Sequence, residues 1–185
     1  KSGEHRIARS SVRLHAPFPR PAKNILCVGK NYHEHAKEFH NSGFDASAGK
    51  EAIPDLPIIF TKASNTVSAQ FDPIPSYLDH SNSTDYEGEL TVVIGKGGRG
   101  ISRAQAFDHV FGYTIVNDVT AQTLQNSHKQ WFIGKNIDAY RPMGPCIVTV
   151  DEIPDVTKLR LQTRVNGELR QDAIDRKSTR LNSSH

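Results

Sequence analysis

One short stretch, Asp85–Ile94, constrains the fold of this chain more than any other, because it joins acidic residues to a strand-forming apolar run. Side chains alternate between the two faces of a strand, so Glu87 and Glu89 are expected on one face, with Leu90 and Val92 on the other. Burying two adjacent carboxylates without a positive partner costs on the order of several kcal/mol each. The stretch therefore predicts either a cation between the two glutamates or a strand whose acidic end is solvated.

Paired strand carboxylates suggest a metal site. Carboxylate oxygens at positions i and i+2 suit a hard divalent cation, Mg²⁺, Mn²⁺ or Ca²⁺, which usually needs at least one more oxygen ligand. A later apolar run, Phe111–Val116, predicts a strand that ends at Asn117 and Asp118. Asp118 is the natural third ligand. The spacing alone leaves open the alternative that both glutamates are surface acids.

A possible acid–base pair precedes this stretch. The segment Asn31–Phe39 has helical composition, and it places His35 and Glu38 three residues apart on one helix face. A carboxylate in contact with an imidazole raises its basicity, which is one way to activate water near neutral pH. An exposed helix pair without a catalytic role is the alternative. The following residues, 41–57, are rich in small residues and proline and suggest a long loop that could act as a lid.

Composition excludes several classes of protein. The formal charge is +3, but Arg176, Lys177 and Arg180 lie in the last ten residues, and without them twenty basic residues balance twenty acidic ones. Basicity therefore gives no argument for nucleic-acid binding. Cys27 and Cys146 are too few for a disulfide framework, and no apolar run reaches membrane-spanning length. A globular cytoplasmic protein is expected.

The remaining patterns predict a mostly β, α+β protein. Apolar or alternating runs indicate strands at 24–28, 57–62, 146–150 and 159–165, and Asn166-Gly167 is a strong signal for a β-hairpin. Residues 102–105 fit a capping box that opens a short helix through Val110. We expect an entry segment at 1–23, a catalytic domain at 24–175 and a non-native tail at 176–185.

Several sequence blocks, in this order, resemble the fumarylacetoacetate hydrolase family, in its branch of small acylpyruvate hydrolase-like proteins. The blocks are Val28–Tyr32, Glu87–Leu90, Gly112–Ala121, Trp131–Lys135, Pro142–Pro145 and Val165–Glu168. The resemblance implies a mixed, mostly β roll, a homodimer, and cleavage or rearrangement of carbon–carbon bonds next to carbonyl groups in small 2-oxo acids or β-diketones.

The resemblance also implies roles for individual residues. Glu87, Glu89 and Asp118 match the ligands of Mg²⁺ or Mn²⁺, and His35 and Glu38 match a water-activating pair carried by a lid. Lys135 matches a lysine near the metal that can stabilise an enolate, and Gln125 matches a substrate contact.

Two departures from the family pattern affect the expected function. Many relatives have Arg-Asp where this chain has Gln122 and Thr123, so the carboxylate contact made by that arginine is not expected here and Gln122 takes its place. The family domain also continues beyond the predicted hairpin, so we expect this chain to lack its C-terminal part. The leading hypothesis is a metal-dependent hydrolase of acylpyruvate-like acids; the alternatives are an isomerase or decarboxylase on the same site, and an inactive metal-binding fragment.

Overall fold

The computed structural model describes residues 6–29, 56–128 and 130–174. Within these residues lie eleven short strands and two α-helices. The strands are β1 (Ile25–Gly29), β2 (Ile58–Lys62), β3 (Val67–Ser68), β4 (Thr84–Asp85), β5 (Gly88–Ile94), β6 (Val110–Asn117), β7 (Thr120–Ala121), β8 (Arg141–Pro142), β9 (Val148–Thr149), β10 (Arg160–Val165) and β11 (Glu168–Ile174). The helices are α1 (Gln122–Ser127) and α2 (Phe132–Lys135). Short 3₁₀ helices lie at Arg9–Ser11, Ser64–Thr66, Ser76–Leu78, Arg103–His109, Val150–Glu152 and Val156–Lys158.

A three-stranded antiparallel sheet, in the order β5-β6-β9, supports the acidic stretch. Strand β5 pairs with β6 in a register that sets Gly88 opposite Asn117 and Glu89 opposite Val116. On the other side, β6 meets β9, and a Cβ at Gly112 would lie 2.3 Å from the carbonyl oxygen of Val148. Glycine is therefore required at position 112, because the neighbouring backbone fills the space of a side chain.

Strands β1 and β2 form a separate antiparallel ribbon. Its register pairs Ile25 with Lys62 and Cys27 with Phe60, so alternation places these side chains on one face. That face points into the molecule: Lys62 has 0% of its surface exposed, whereas Leu26, on the opposite face, is 73% exposed. The ribbon thus brings a lysine and an aromatic ring into the interior.

Two small strand pairs connect the ribbon and the sheet. Strand β3 runs parallel to β8, with Val67 opposite Arg141, and β4 pairs antiparallel with β7, with Asp85 opposite Thr120. Val116 and Met143 form an isolated antiparallel bridge, and both belong to a buried apolar cluster. These contacts bring the end of β6, where Asp118 follows, close to β4 and β8.

The hairpin predicted from Asn166-Gly167 is confirmed. Strands β10 and β11 pair antiparallel, and Asn166 and Gly167 have φ angles of 51° and 84°, as a type I′ turn requires. The side chain of Gln171 docks this hairpin on β5: its Nε2 donates to the carbonyl of Gly88 at 2.9 Å, and its Oε1 accepts from the Gly88 amide at 3.0 Å. The hairpin therefore holds the backbone between Glu87 and Glu89.

The predicted mostly β class with few helices is confirmed, and one local prediction needs correction. Arg103–His109 is a 3₁₀ helix, and Ser102 Oγ donates to the Gln105 side chain at 2.8 Å and makes no capping bond to a backbone amide. The predicted helix with His35 and Glu38, the loop at 41–55 and the tail at 176–185 lie outside the described residues. Among the residues that the structure describes, no helix has the length and apolarity needed to cross a membrane.

Candidate active site

The end of β6 and the start of β5 hold two acidic residues together. The amide of Asp118 donates to the carbonyl oxygen of Glu87 at 2.7 Å, and the amide of Glu87 donates to Oδ1 of Asn117 at 2.9 Å. Asp118 is buried, with 3% of its surface exposed, and the side chain of Glu87 is 12% exposed. The backbone therefore fixes both carboxylates side by side, away from bulk water.

Lys135 lies between these two carboxylates. Its Nζ is 2.6 Å from Oε2 of Glu87 and 3.0 Å from Oδ2 of Asp118. The lysine ends α2, which can approach α1 closely because residue 134 is glycine: a Cβ there would lie 2.5 Å from the amide nitrogen of Gln125. The ammonium also lies 5.2 Å from the ring centre of Phe60. The site predicted from the sequence thus contains Glu87, Asp118 and Lys135 in direct contact.

A second lysine, which the sequence analysis did not assign, holds the other side of Asp118. The Nζ of Lys62 is 2.7 Å from Oδ1 of Asp118, and it donates to the carbonyl oxygens of Val119 and Tyr140 at 2.8 and 2.9 Å. Burial lowers the pKa of Lys62 to about 8, against the opposing effect of the Asp118 carboxylate. Lys62 therefore holds Asp118 while two backbone carbonyls fix the lysine in turn.

The charges of the central groups support one another. Burial by itself would raise the pKa of Asp118, but Lys135 and Lys62 outweigh it, so the pKa of Asp118 is lowered. Burial would likewise lower the pKa of Lys135, yet the carboxylates of Glu87 and Asp118 raise it above its ordinary value. The ionised aspartate and the protonated lysine are therefore the stable forms near neutral pH.

Glu89 differs from its two acidic neighbours because its side chain has no hydrogen bond or ion pair with the described residues. It is partly buried on β5, opposite Val116. Burial raises the pKa of Glu89 well above its ordinary value, and the negative charges of Glu87 and Asp118 raise it further. Glu89, the third predicted metal ligand, is thus close enough to Glu87 and Asp118 to be affected by their charges. Its side chain forms no ion pair with a described residue.

Two glutamines extend the site along α1. Nε2 of Gln122 donates to Oε1 of Glu87 at 3.1 Å, and Nε2 of Gln125 donates to Oε1 of Gln122 at 3.4 Å. Gln125 is buried, and its Oε1 has no hydrogen-bond partner within the described residues. Both predicted substrate contacts therefore line up behind Glu87, and Gln125 keeps an acceptor available.

The donor set of this site suits a hard divalent cation. Within the described part of the chain, no three acidic, histidine or cysteine side chains are preassembled in a metal-binding arrangement. However, Glu87 and Asp118 already share one cation, the Lys135 ammonium, and Glu89 adds a third carboxyl group without an ion pair among the described residues. Three carboxylates supply the oxygen ligands that Mg²⁺ and Mn²⁺ prefer. The residues present fit such an ion.

Beyond the predicted residues, the structure adds Lys62, Arg141 and Cys27 to the neighbourhood of the site. Nη1 of Arg141 donates to Sγ of Cys27 at 3.0 Å, and Arg141 is 4% exposed. For Lys62 a signal existed in the sequence: it ends an apolar strand two residues after Phe60, where alternation predicts a buried lysine. For Arg141 no local pattern exists, because its contact with Cys27 spans 114 residues of sequence.

Comparison with known proteins agrees with this fold. The sequence profile described as "Fumarylacetoacetate (FAA) hydrolase C-terminal" matches residues 24–177. Oxaloacetate tautomerase YisK of Bacillus subtilis (strain 168) is 51% identical over 170 residues, which cover 91% of this chain and 54% of that protein. Mitochondrial oxaloacetate tautomerase fahd2 of Xenopus laevis is 39% identical over 174 residues, covering 93% of this chain and 51% of that protein.

Solved structures give the same result. A fumarylacetoacetate hydrolase from psychrophilic Exiguobacterium antarcticum superposes with a TM-score of 0.74 at 46% identity, covering 90% of this chain and 56% of that one. A 5-carboxymethyl-2-hydroxymuconate delta-isomerase from Mycobacterium smegmatis superposes with a TM-score of 0.72 at 33% identity, covering 91% of this chain and 61% of that one.

The fold and the site define a mostly β scaffold with buried acids and lysines at a strand end. The chain belongs to the fumarylacetoacetate hydrolase family, as its sequence blocks predicted. Named members of this family include tautomerases, isomerases and hydrolases, and its members generally bind divalent metal ions. The chain spans about half the length of the curated relatives it matches.

Proposed function

We propose that the intact protein is a divalent-metal-dependent enzyme that enolises a small 2-oxo acid, with interconversion of keto and enol forms as its main reaction. The observation that carries this proposal is the buried ammonium of Lys135, which lies 2.6 and 3.0 Å from the carboxylates of Glu87 and Asp118. A fixed positive charge next to a carboxylate cluster is the arrangement that stabilises a developing enolate.

The proposed roles divide between metal binding and charge stabilisation. Glu87, Glu89 and Asp118 would hold Mg²⁺ or Mn²⁺, which supplies Lewis acidity toward the carbonyl and carboxylate of a 2-oxo acid. Lys135 donates a hydrogen bond to the oxygen on which negative charge develops, and its raised pKa keeps it protonated for this role. Gln125, with its free acceptor oxygen, orients a polar group of the substrate.

Tautomerisation is the favoured reaction because two relatives that cover more than nine tenths of this chain are named oxaloacetate tautomerases. The described site also supplies one requirement of enolisation, because Lys135 places a fixed positive charge at the acidic cluster. A proton moved between carbon and oxygen requires no attacking water.

Hydrolysis of an acylpyruvate-like acid is the second candidate. It is favoured by the sequence pair His35 and Glu38, which can activate water, and by the likeness to a structure named as a fumarylacetoacetate hydrolase. Decarboxylation of oxaloacetate shares the enolate and needs no water-activating pair. The three reactions therefore differ in their products more than in the site.

One set of assays on the intact protein separates these reactions. Purified enol oxaloacetate, oxaloacetate and an acylpyruvate are incubated with protein and Mg²⁺, and the products are followed by ultraviolet absorbance and proton NMR. The proposal expects rapid loss of the enol signal without release of carbon dioxide. Cleavage of the acylpyruvate at a higher kcat/KM would favour hydrolysis, and no reaction with any substrate would refute the enzyme proposal.

We also predict that the bound ion is Mg²⁺ or Mn²⁺, that the intact protein is a homodimer and that it is located in the cytoplasm.

A further inference from the structure

Arg141 is a buried cation without a carboxylate partner among the described residues. It is 4% exposed, the hydrogen bond from its guanidinium goes from Nη1 to Sγ of Cys27 at 3.0 Å, and its Nε is buried without a partner. Arginine remains charged at all ordinary pH values, and an uncompensated buried charge is costly. The thiol gives no compensation, because burial raises the pKa of Cys27 and keeps it neutral. This side chain is therefore able to pair with an anion.

The guanidinium lies beside the acidic site and not on a remote surface. Cys27, Phe60 and Lys62 share the inward face of the β1–β2 ribbon, with Cys27 directly opposite Phe60. These three side chains contact Arg141, Lys135 and Asp118, respectively. Paired residues of neighbouring strands lie about 5 Å apart between their Cβ atoms. Arg141, which contacts Cys27, therefore lies close to Lys135, which contacts Phe60.

A second path of contacts leads to the same place. The carbonyl oxygen of Tyr140, the residue before Arg141, accepts from Nζ of Lys62 at 2.9 Å, and the same ammonium is 2.7 Å from Asp118. Arg141 therefore lies next to the acidic site along the chain as well as across the ribbon.

The unpaired guanidinium specifies the charge of a ligand beside it. A carboxylate would pair with Arg141, whose Nε has no partner among the described residues. In the proposed function, the first carboxylate of a 2-oxo acid would bind the metal together with the neighbouring carbonyl. A second carboxylate, present only in a dicarboxylic 2-oxo acid, would then be the group beside Arg141.

We propose that Arg141 is a specificity-determining residue that binds the second carboxylate of a dicarboxylic 2-oxo acid, through the guanidinium nitrogens that Cys27 leaves free. The inference rests on the proposed function of the site and adds its substrate class. A planar guanidinium can bind a carboxylate through two parallel hydrogen bonds, which an amine cannot reproduce.

The test compares two stable ligands that differ in the second carboxylate. Malate and 2-hydroxybutyrate are titrated calorimetrically into the Mg²⁺-loaded intact protein and its variants R141M, R141K and R160Q. The last is a control, because Arg160 is an exposed arginine that pairs with Asp172. Melting temperatures of all variants are recorded alongside.

The expected result is selective. R141M should weaken malate binding about tenfold to hundredfold, the range for losing a hydrogen-bonded charge pair, and leave 2-hydroxybutyrate within about twofold. R141K should lie between the parent protein and R141M, since it retains the charge without the paired hydrogen bonds. R160Q should leave both ligands unchanged. In turnover assays R141M should raise KM for oxaloacetate and leave KM for 2-oxobutyrate unchanged.

Two results would overturn the assignment. Equal weakening of both ligands would show that Arg141 supports the site as a whole and does not recognise the second carboxylate. Unchanged malate binding would show that Arg141 does not bind a substrate carboxylate. Should R141M not fold, R141K decides between the same outcomes. Failure of the proposed reaction is separate, because it would appear as absent turnover while the binding difference between the two ligands persists.

Discussion

The ammonium of Lys62 lies 2.7 Å from a carboxylate oxygen of Asp118, and neither side chain is more than 5% exposed. Because Lys62 also donates to the carbonyls of Val119 and Tyr140, it joins the β2 strand to both segments that flank the site. Lys135 contacts the other oxygen of Asp118. The aspartate is thus held on both sides by buried lysines.

Replacing Lys62 with methionine should destabilise the protein strongly. The change leaves Asp118 and two carbonyl groups without their shared donor, so the free energy of unfolding should fall by about 3–5 kcal/mol. Chemical denaturation of the intact protein measures this. The matched control is Lys158→Met, because the Lys158 side chain is 82% exposed and pairs with Asp155; it should change stability by less than about 0.5 kcal/mol. Similar small effects for both variants would contradict the anchoring role of Lys62.

Replacing Lys135 with methionine should separate metal binding from turnover. Its ammonium occupies oxygens of Glu87 and Asp118, so its removal should leave Mg²⁺ affinity equal or tighter. Enolisation should fall by about 10²- to 10³-fold, the usual effect of losing one stabilising donor. Calorimetry and steady-state kinetics on the same preparation measure both. If metal binding and kcat are lost together, Lys135 supports the metal site and not the enolate.

Local patterns in the sequence point to the acidic residues of the site and not to Lys62 and Arg141. Strand alternation predicts that Glu87 and Glu89 share a face, although β5 begins only at Gly88, and the end of the next long apolar strand predicts Asp118 as a third ligand. Lys62 and Arg141 reach the site through contacts that span 57 and 114 residues, and no local period encodes such pairings. The same limit explains the parallel pairing of β3 with β8, which depends on the packing of distant segments.

The start of the helix after Ser102 could not be predicted from the local sequence either. The pattern at Ser102–Gln105 predicts a capped helix, yet Arg103–His109 is a 3₁₀ helix, and the Ser102 hydroxyl donates to the side chain of Gln105. A hydroxyl that bonds a neighbouring side chain no longer satisfies a free backbone amide at the helix start. Sequence spacing cannot distinguish these two partners.

Asp79 should give the protein a pH-dependent contribution to stability. Burial would raise its pKa, but hydrogen bonds from Ser81, Ser83 and Thr84 outweigh this and lower it. A carboxyl whose pKa is lower in the folded state stabilises fully above its unfolded value of about 3.9, and this contribution is lost as the pH falls through the folded value.

Asp79→Asn should therefore lower the melting temperature at pH 7, and the difference from the parent protein should shrink below about pH 4. Thermal unfolding from pH 7 to pH 3 measures this. The exposed Asp108 provides the control Asp108→Asn, which should show little change at any pH. A difference for Asp79→Asn that persists undiminished at pH 3 would show that the charge of Asp79 is not its source.

His35→Ala should distinguish hydrolysis from reactions that need no attacking water. If the pair of His35 and Glu38 activates water, acylpyruvate hydrolysis should fall by about 10²- to 10⁴-fold, while tautomerisation and decarboxylation of oxaloacetate fall much less. Parallel kinetics with both substrates measure this. An equal loss of all activities would assign His35 to substrate binding or lid closure, and no loss would make the pair a surface contact.

The most direct test of the site is metal binding by a variant of its least supported ligand. The side chain of Glu89 has no hydrogen bond or ion pair with the described residues, so Glu89→Ala removes a carboxylate without breaking another side-chain contact of that kind. Calorimetric titration of the intact protein with Mn²⁺ and Mg²⁺ should show affinity at least about tenfold weaker than in the parent protein, while Glu152→Ala, at an exposed acid, should bind as the parent does. Unchanged affinity in Glu89→Ala would contradict the assignment of Glu87, Glu89 and Asp118 as one metal centre.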